Sequence, residues 1–236
     1  MQRHFGHIEA LNDIGEVLRY AADVCREQGV VRYSYHSTPI FDAPTSAKTN
    51  VISEGFSDEW LALYDQADFR AKDPIPQRTM QHGAMLTWEQ ATRAAPNTEA
   101  NEEYFAAMRE HGLVHGFGLP LFGPRGRNAF ASFDFGVPLS EVDPDALGTV
   151  RSVPQGAHQR VCVLLDQAGK TPDLTMRETE VLQWVAKGKS VSVIADILEL
   201  SPDTVKTYTK RIYSKLDTTD RVGAVVKALQ MGLVTF

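Results

Sequence analysis

The last third of the chain carries four closely spaced helix-start signals, which constrain the fold more than any other feature of the sequence. They are a T-x-x-E capping box at Thr175 and the N-cap residues Ser190, Ser201 and Asp220. Each cap precedes a short stretch with apolar residues at helical spacing, and after Ser190 we expect Val193, Ile194, Ile197 and Leu198 to point inward. The pattern predicts an all-α domain of four helices between residues 174 and 236.

Two of these helices meet at a tight turn over residues 200–202, which predicts a helix-turn-helix. In that motif the second helix lies in the major groove of DNA. Val205, Ile212 and Leu216 form its predicted apolar stripe, and the remaining positions are polar or basic. Lysine and arginine neutralise phosphates, arginine can pair with guanine, and threonine can contact phosphates or thymine methyl groups. We expect DNA contacts from Thr204, Lys206, Thr207, Lys210, Arg211 and Lys215.

The first 166 residues mix helices with short strands. The pattern predicts one opening amphipathic helix that ends near Gly29, a helix that begins at Ser57 and a helix over 97–111. It predicts strands over 31–37, 50–56 and around 86–88, and a hairpin around 124–127. A final helical stretch is expected over 139–166, with breaks at Pro144 and Pro154.

Helices that flank an antiparallel sheet indicate an α+β fold, here an α-β-α sandwich. The polar Gly/Pro stretch 167–173 predicts a linker, so the expected domains are 1–166 and 174–236.

Charge and cysteine usage narrow the class of protein. The net charge of −6 is unusual for a DNA-binding protein, but residues 171–236 hold nine Lys/Arg against eight Asp/Glu, so the excess acid lies in the first domain. Two distant cysteines, Cys25 and Cys162, argue against a disulfide scaffold or a zinc site. No apolar run is long enough to span a membrane and no signal peptide is evident, so we expect a cytoplasmic protein.

The segment 174–216 resembles the DNA-binding domain of the LuxR family of bacterial regulators. The residues that carry the resemblance are Glu178, Leu182, Gly188, Ala195, Ser201, Thr204, Val205, Lys215 and Leu216. The sequence departs from the family at Tyr208, where histidine is frequent, and at Arg211, where asparagine is frequent. Both positions lie on the expected recognition helix, so the resemblance does not extend to the operator sequence.

The first domain resembles the quorum-sensing branch of that family, which binds acyl-homoserine lactones. The spacing W-x3-Y-x8-D-P is present as Trp60, Tyr64 and Asp73-Pro74, and Trp88 and Gly116 follow at the family's positions. The resemblance implies that Trp60 donates to the lactone carbonyl and that Asp73 accepts from the ligand amide. It also implies that Tyr64 and Ser132 donate to the acyl carbonyl and that Trp88 packs near the lactone ring.

Four positions depart from the lactone receptors that the chain resembles. Phe56 replaces a tyrosine, Ile75 a threonine and Leu61 an arginine, while Phe130 stands where a small residue lines the acyl pocket. We therefore expect Phe56, Ile75 and Phe130 to shape a less polar chamber.

The resemblance implies a homodimeric regulator that binds a palindromic DNA operator, senses an acyl-homoserine lactone and contacts RNA polymerase. We expect no cofactor, no metal and no catalysis, since catalysis needs a nucleophile beside a base or a metal cluster and the seven histidines are scattered along the sequence. Two alternatives stay open: a regulator of the same family that responds to another small apolar signal, and a module that sequesters a signal or partner without regulating DNA.

Overall fold

The computed structural model describes residues 2–38, 46, 48–168 and 172–234, which form two compact units, Met1–Asp166 and Gln167–Phe236. Part of the expected linker, residues 169–171, lies outside the described residues. Within the described ranges, no helix combines the length and the apolar character that crossing a membrane requires.

A five-stranded antiparallel sheet forms the centre of the first unit, in the order β2-β1-β5-β4-β3. The strands are β1 (Arg32–Ser37), β2 (Asn50–Glu54), β3 (Leu86–Thr87), β4 (Phe117–Leu121) and β5 (Ala129–Asp134). The helices of this unit are α1 (Gln2–Ala10), α2 (Ile14–Glu27), α3 (Asp58–Tyr64), α4 (Ala67–Arg70), α5 (Ile75–His82), α6 (Trp88–Ala94), α7 (Glu99–Glu110) and α8 (Pro144–Ala168).

Alternation along β5 divides the unit into layers, because successive strand residues point to opposite faces. Ala131 and Phe133 belong to the core that includes Cys25 of α2 and Val150 of α8. Phe130 belongs to a second core, built with aromatic and aliphatic residues of α3, α5, α6 and α7. The expected α-β-α sandwich is therefore confirmed.

The predicted single opening helix is wrong, because the chain forms two helices there. Asp13 interrupts it: its side chain accepts a hydrogen bond from the Glu16 backbone N–H at 2.9 Å and caps α2. Of the two breaks predicted in the last helical stretch of the unit, the one at Pro144 is confirmed and the one at Pro154 is wrong. A short 3-10 turn over Leu139–Glu141 ends before α8 begins. Pro144 is the first residue of α8, a position where its missing N–H removes no helical bond, and the helix continues through Pro154.

Trp88 begins a helix, although the pattern around it predicts a strand. Thr87 ends β3 and caps α6 through a capping box with Gln90, so the short strand passes directly into the helix. Helices α4 and α5 were not predicted from the sequence, because their few residues carry too little periodicity to be recognised.

The second unit consists of α9 (Met176–Ala186), α10 (Val191–Leu198), α11 (Pro202–Lys215) and α12 (Arg221–Gln230), each capped by the expected residue. Val205, Ile212 and Leu216 are buried, as the apolar stripe predicts. The inward placement expected for Val193 and Ile197 is wrong, since both are about 40% exposed while Ala195 fills the core.

Gly116 precedes β4 and lies directly against the Trp88 ring. Its carbonyl accepts a hydrogen bond from the backbone N–H of Trp88 at 2.9 Å. A Cβ at this position would lie 2.3 Å from the indole, a distance that no side chain can tolerate. Glycine is therefore required here by the close approach of the ring, which accounts for its place in the motif.

We predict that Gly116→Ala lowers the free energy of unfolding by about 1–3 kcal/mol, because the Trp88 ring must move out of a packed core. Urea unfolding measures the loss. Gly148→Ala is the matched control, since open space surrounds Gly148 within α8 and alanine favours a helix by about 0.5–1 kcal/mol. Equal stability of the two variants would contradict the prediction.

Candidate functional site

A cavity lies between one face of the sheet and α3, α5, α6 and α7. About 460 Å³ of this region is not filled by protein atoms, the space at the cavity mouth included. All eight residues expected to contact a ligand line it, namely Phe56, Trp60, Tyr64, Asp73, Ile75, Trp88, Phe130 and Ser132. Their contact with a ligand remains a prediction.

Asp73 is a buried carboxyl group in the cavity wall, only 6% exposed. Its Oδ2 accepts from the Tyr64 hydroxyl at 2.8 Å, and its Oδ1 accepts from the Ile75 N–H at 2.9 Å. The Tyr104 hydroxyl also favours its charged form. Burial nevertheless dominates and raises the pKa of Asp73 to about 6. A carboxylate has about four acceptor positions, so these donors leave room for one more.

Tyr64 and Ser132 direct their hydroxyl protons at protein groups. Tyr64 donates to Asp73, and Ser132 donates to the Phe117 carbonyl at 3.3 Å. Donation to an acyl carbonyl, the role that the resemblance implies for both, therefore requires each hydroxyl to turn.

The two tryptophans of the cavity differ in how their indole nitrogens are used. Trp88 donates to Ser132 Oγ at 3.1 Å, which fixes its ring at the start of α6. Trp60 is buried among Tyr64, Phe69 and Tyr104, and within the described part of the chain its indole N–H has no acceptor. Trp60 thus offers a donor beside the Asp73 acceptor.

Several lining residues were not predicted from the sequence, above all Ser34 and His36 on β1 and Ser53 on β2. The signal was present in the alternation of RYSYHS, which places Ser34 and His36 on one face of a strand. The other missed lining residues are Val51, Leu61, Tyr104, Met108 and Leu113. Among these, Leu61 was noted as a departure from the family and not as a contact.

The polar face of α11 is a second candidate site. Lys206, Thr207, Lys210 and Arg211 are exposed along it. Lys206 pairs with Asp203 at 3.0 Å within the helix, while Lys210 and Arg211 have no acidic partner among the described residues. Thr204, which is half-buried, contacts the Ser201 cap through its hydroxyl.

Lys215 stands apart from the other basic residues of α11, because its ammonium group bonds inside the domain. It donates to the Asp173 carbonyl and to Glu178 Oε2, both at 2.7 Å. Glu178 is 2% exposed and also accepts from the Thr175 N–H in the capping box. The structure gives Lys215 an internal bond that the sequence analysis did not foresee, and its contact with DNA stays a prediction.

Comparison with known proteins matches one family model to each of the two units. Residues 13–161 match the family model described as "Autoinducer binding domain", and residues 172–228 match "Bacterial regulatory proteins, luxR family".

Curated relatives match over most of the chain. The HTH-type quorum sensing-dependent transcriptional regulator RpaR of Rhodopseudomonas palustris is 33% identical over 188 residues, covering 78% of this chain and 74% of RpaR. The transcriptional activator protein LuxR of Aliivibrio fischeri is 24% identical over 230 residues, covering 94% of this chain and 88% of LuxR. These relatives are transcriptional regulators and not enzymes.

Solved structures show the same fold. Crystalline SdiA of Escherichia coli superposes with a TM-score of 0.71 at 23% identity, covering 97% of this chain and 95% of SdiA. SdiA in complex with octanoyl-rac-glycerol gives a TM-score of 0.71 at 21% identity, covering 100% and 96% of the two chains.

We predict that Asp73 makes the protein less stable as the pH rises from 4 to 7. Its folded pKa of about 6 lies above the ordinary value near 4, so in this window the folded chain holds a proton that the unfolded chain has lost. Relative to Asp73→Asn, the parent should lose about 1–3 kcal/mol of unfolding free energy, measured by urea unfolding at both pH values.

The ionisable neighbours do not confuse this measurement. Burial raises the pKa values of Tyr64 and Tyr104, so both stay protonated between pH 4 and 7. Burial lowers the pKa of His36 to about 3, so its ring is neutral in the folded chain but takes up a proton in the unfolded chain below its ordinary pKa of 6.5. The parent and Asp73→Asn share this contribution, so it cancels in the difference between them. If the unfolding free energy of the parent, relative to that of Asp73→Asn, stays constant or increases from pH 4 to pH 7, burial does not dominate the pKa of Asp73.

Proposed function

The chain belongs to the LuxR family of bacterial transcription regulators, and we propose that it binds an N-acyl-homoserine lactone in its first unit and controls quorum-sensing genes as a DNA-bound homodimer. The observation that carries the ligand proposal is the pairing, in one apolar cavity, of the Asp73 acceptor with the Trp60 donor. The proposed regulator acts in the cytoplasm, where bacterial DNA lies, and needs neither a cofactor nor a metal.

An acyl-homoserine lactone offers the groups that this cavity can bind. Its amide N–H fits the remaining acceptor position of Asp73, and its ring carbonyl fits the Trp60 indole N–H. Its tail fits the apolar side chains of Phe56, Ile75 and Phe130, which line the same cavity. In such an apolar cavity a carboxylate that accepts an amide N–H forms a charge-assisted hydrogen bond.

The proposal for DNA rests on α11. Its exposed Lys206, Lys210 and Arg211 supply phosphate contacts, and Arg211 can reach a base edge. Dimerisation is supported by the apolar surface of α12, where Val222 is 72% exposed. Two copies related by a two-fold axis would read a palindrome with half-sites one helical turn apart and would present a surface to RNA polymerase.

A second ligand class has a specific observation in its favour. SdiA has been crystallised with octanoyl-rac-glycerol, an acyl ester that has neither an amide nor a lactone ring. An ester cannot donate to Asp73, although its glycerol hydroxyls can. Acyl-homoserine lactones and acyl glycerols can therefore be distinguished by how strongly the binding of each depends on the Asp73 carboxylate.

We predict that Asp73→Ala raises the concentration of N-octanoyl-homoserine lactone needed for half-maximal activation by about ten- to a hundredfold, since loss of a charge-assisted hydrogen bond costs about 1.5–3 kcal/mol. A reporter gene in a host without its own lactone measures the dose response. Asp73→Asn should be milder, because its amide oxygen still accepts.

With lactone present at a concentration that saturates the parent, the soluble yield of Asp73→Ala should fall below that of the parent, because a ligand that binds the folded state stabilises it and the variant binds the ligand more weakly. Half-maximal activation at the parent's concentration in a well-folded Asp73→Ala protein would exclude an amide at this position. Activation of the parent by octanoyl-rac-glycerol and not by the lactone would support the second ligand class.

We predict that Lys210→Ala weakens binding to all DNA sequences alike and lowers the slope of log affinity against log salt by about one unit. Arg211→Ala should instead relax base choice at one operator position. Fluorescence anisotropy with operator and scrambled duplexes measures both. Arg93→Ala is the charge-matched control, since Arg93 lies on α6 of the other unit and pairs with Glu89.

If both α11 variants bind DNA with the parent's affinity and salt slope, α11 is not the helix that contacts DNA. A parent protein that binds lactone but shows no salt-dependent operator binding would identify the sequestering module.

A further inference from the structure

His36 is the one described residue of the cavity wall with a buried ring nitrogen that lacks a hydrogen-bond partner. The side chain is 3% exposed, and its Nε2 lies 2.9 Å from Ser34 Oγ, while Nδ1 has no partner among the described residues. A buried polar atom without a partner costs about 1–3 kcal/mol, so such an atom in a ligand cavity indicates a contact made by the ligand.

The sheet places His36 beside a row of small polar residues. In the strand register Ser34 lies opposite Ser53 on β2 and opposite Ser132 on β5, and all three line the cavity. Serine side chains are short, so this part of the sheet leaves space for a ligand atom and supplies hydroxyl groups around it. Phe130 covers the neighbouring side, with its ring perpendicular to that of His36 at 5.0 Å.

The position of His36 relative to Asp73 defines which part of the ligand it can reach. The His36 ring lies 6.2 Å from the Tyr64 ring, and the Tyr64 hydroxyl is bonded to Asp73. With the amide N–H at Asp73, as in the proposed function on which this inference rests, the ligand atom that meets His36 belongs to the acyl chain near the amide.

The state of the ring restricts the chemistry of that ligand atom. Burial, with the nearby Arg70 cation, lowers the pKa of His36 to about 3, so the ring is neutral at physiological pH and has no charge to pair with a carboxylate. Either partner of the His36–Ser34 hydrogen bond can donate, so Nδ1 is either an acceptor or a donor. A hydroxyl satisfies both cases, whereas a keto oxygen satisfies only one.

We propose that His36, with Ser34 and Ser53, forms a polar subsite that selects a signal with a hydroxyl group on its acyl chain close to the amide. The hydroxyl bonds to His36 Nδ1 and replaces the missing partner. The specificity of the receptor is thereby set on the sheet, at positions other than those that hold the lactone ring and the amide.

The test compares N-octanoyl-homoserine lactone with each enantiomer of N-(3-hydroxyoctanoyl)-homoserine lactone in the full-length protein, through half-maximal activation of an operator-linked reporter. The two compounds differ only in the hydroxyl. The parent should respond to one hydroxylated enantiomer at a concentration about three- to tenfold lower than to the plain lactone, the ratio that one buried hydrogen bond supplies. His36→Leu should bring this ratio to about one.

The matched control is His158→Leu, which removes another buried histidine. His158 bonds Tyr35 and the Arg127 carbonyl and does not line the cavity. This variant should tolerate less denaturant than the parent but keep the parent's ratio. His36→Asn, whose amide both donates and accepts, should retain part of the preference and replaces His36→Leu if that variant does not fold.

Equal response of the parent to the plain and both hydroxylated lactones would overturn the subsite while leaving the proposed function intact. A preference that survives in His36→Leu or disappears in His158→Leu would overturn it as well, since the hydroxyl would then be recognised elsewhere. If none of the lactones activates the parent, the proposed function fails and the subsite fails with it.

Discussion

The burial of one carboxyl group in an apolar cavity organises the first unit. Asp73 can stay there because the Ile75 N–H and the Tyr64 hydroxyl both donate to it, and these donors come from the start of α5 and the end of α3. Any displacement of either helix leaves a buried oxygen without a donor, which costs about 1–3 kcal/mol. The same two hydrogen bonds therefore keep the carboxyl group in the ligand cavity and fix the positions of the helices that line it.

Much of the fold follows from local signals that do not depend on distant contacts. The caps Thr175, Ser190, Ser201 and Asp220 define the helices of the second unit, since a cap acts within one turn of its helix. The errors arose where apolar periodicity is a weak guide. Val193 and Ile197 carry the periodicity of α10 but are exposed, because a short helix with apolar residues on several sides cannot bury all of them.

Only part of the candidate site could be predicted from the sequence, and the reason is physical. The residues expected in the cavity all line it, because motif spacing identifies large side chains such as Trp60 and Trp88. His36 escaped attention because its role depends on strand pairing: the register of β1 with β2 and β5 places it among Ser34, Ser53 and Ser132. Similarly, Lys215 looked like a surface cation, and only the folded chain shows its bonds to Glu178 and the Asp173 carbonyl.

That internal bond of Lys215 has a consequence for how the protein meets its operator. It fastens the end of α11 to the beginning of α9, so the recognition helix is held in place before any duplex arrives. A recognition helix that is already ordered loses little conformational freedom on binding. The DNA must then make the adjustment needed to fit an imperfect half-site, so we expect base steps that bend easily to contribute to operator preference, even where no side chain touches them.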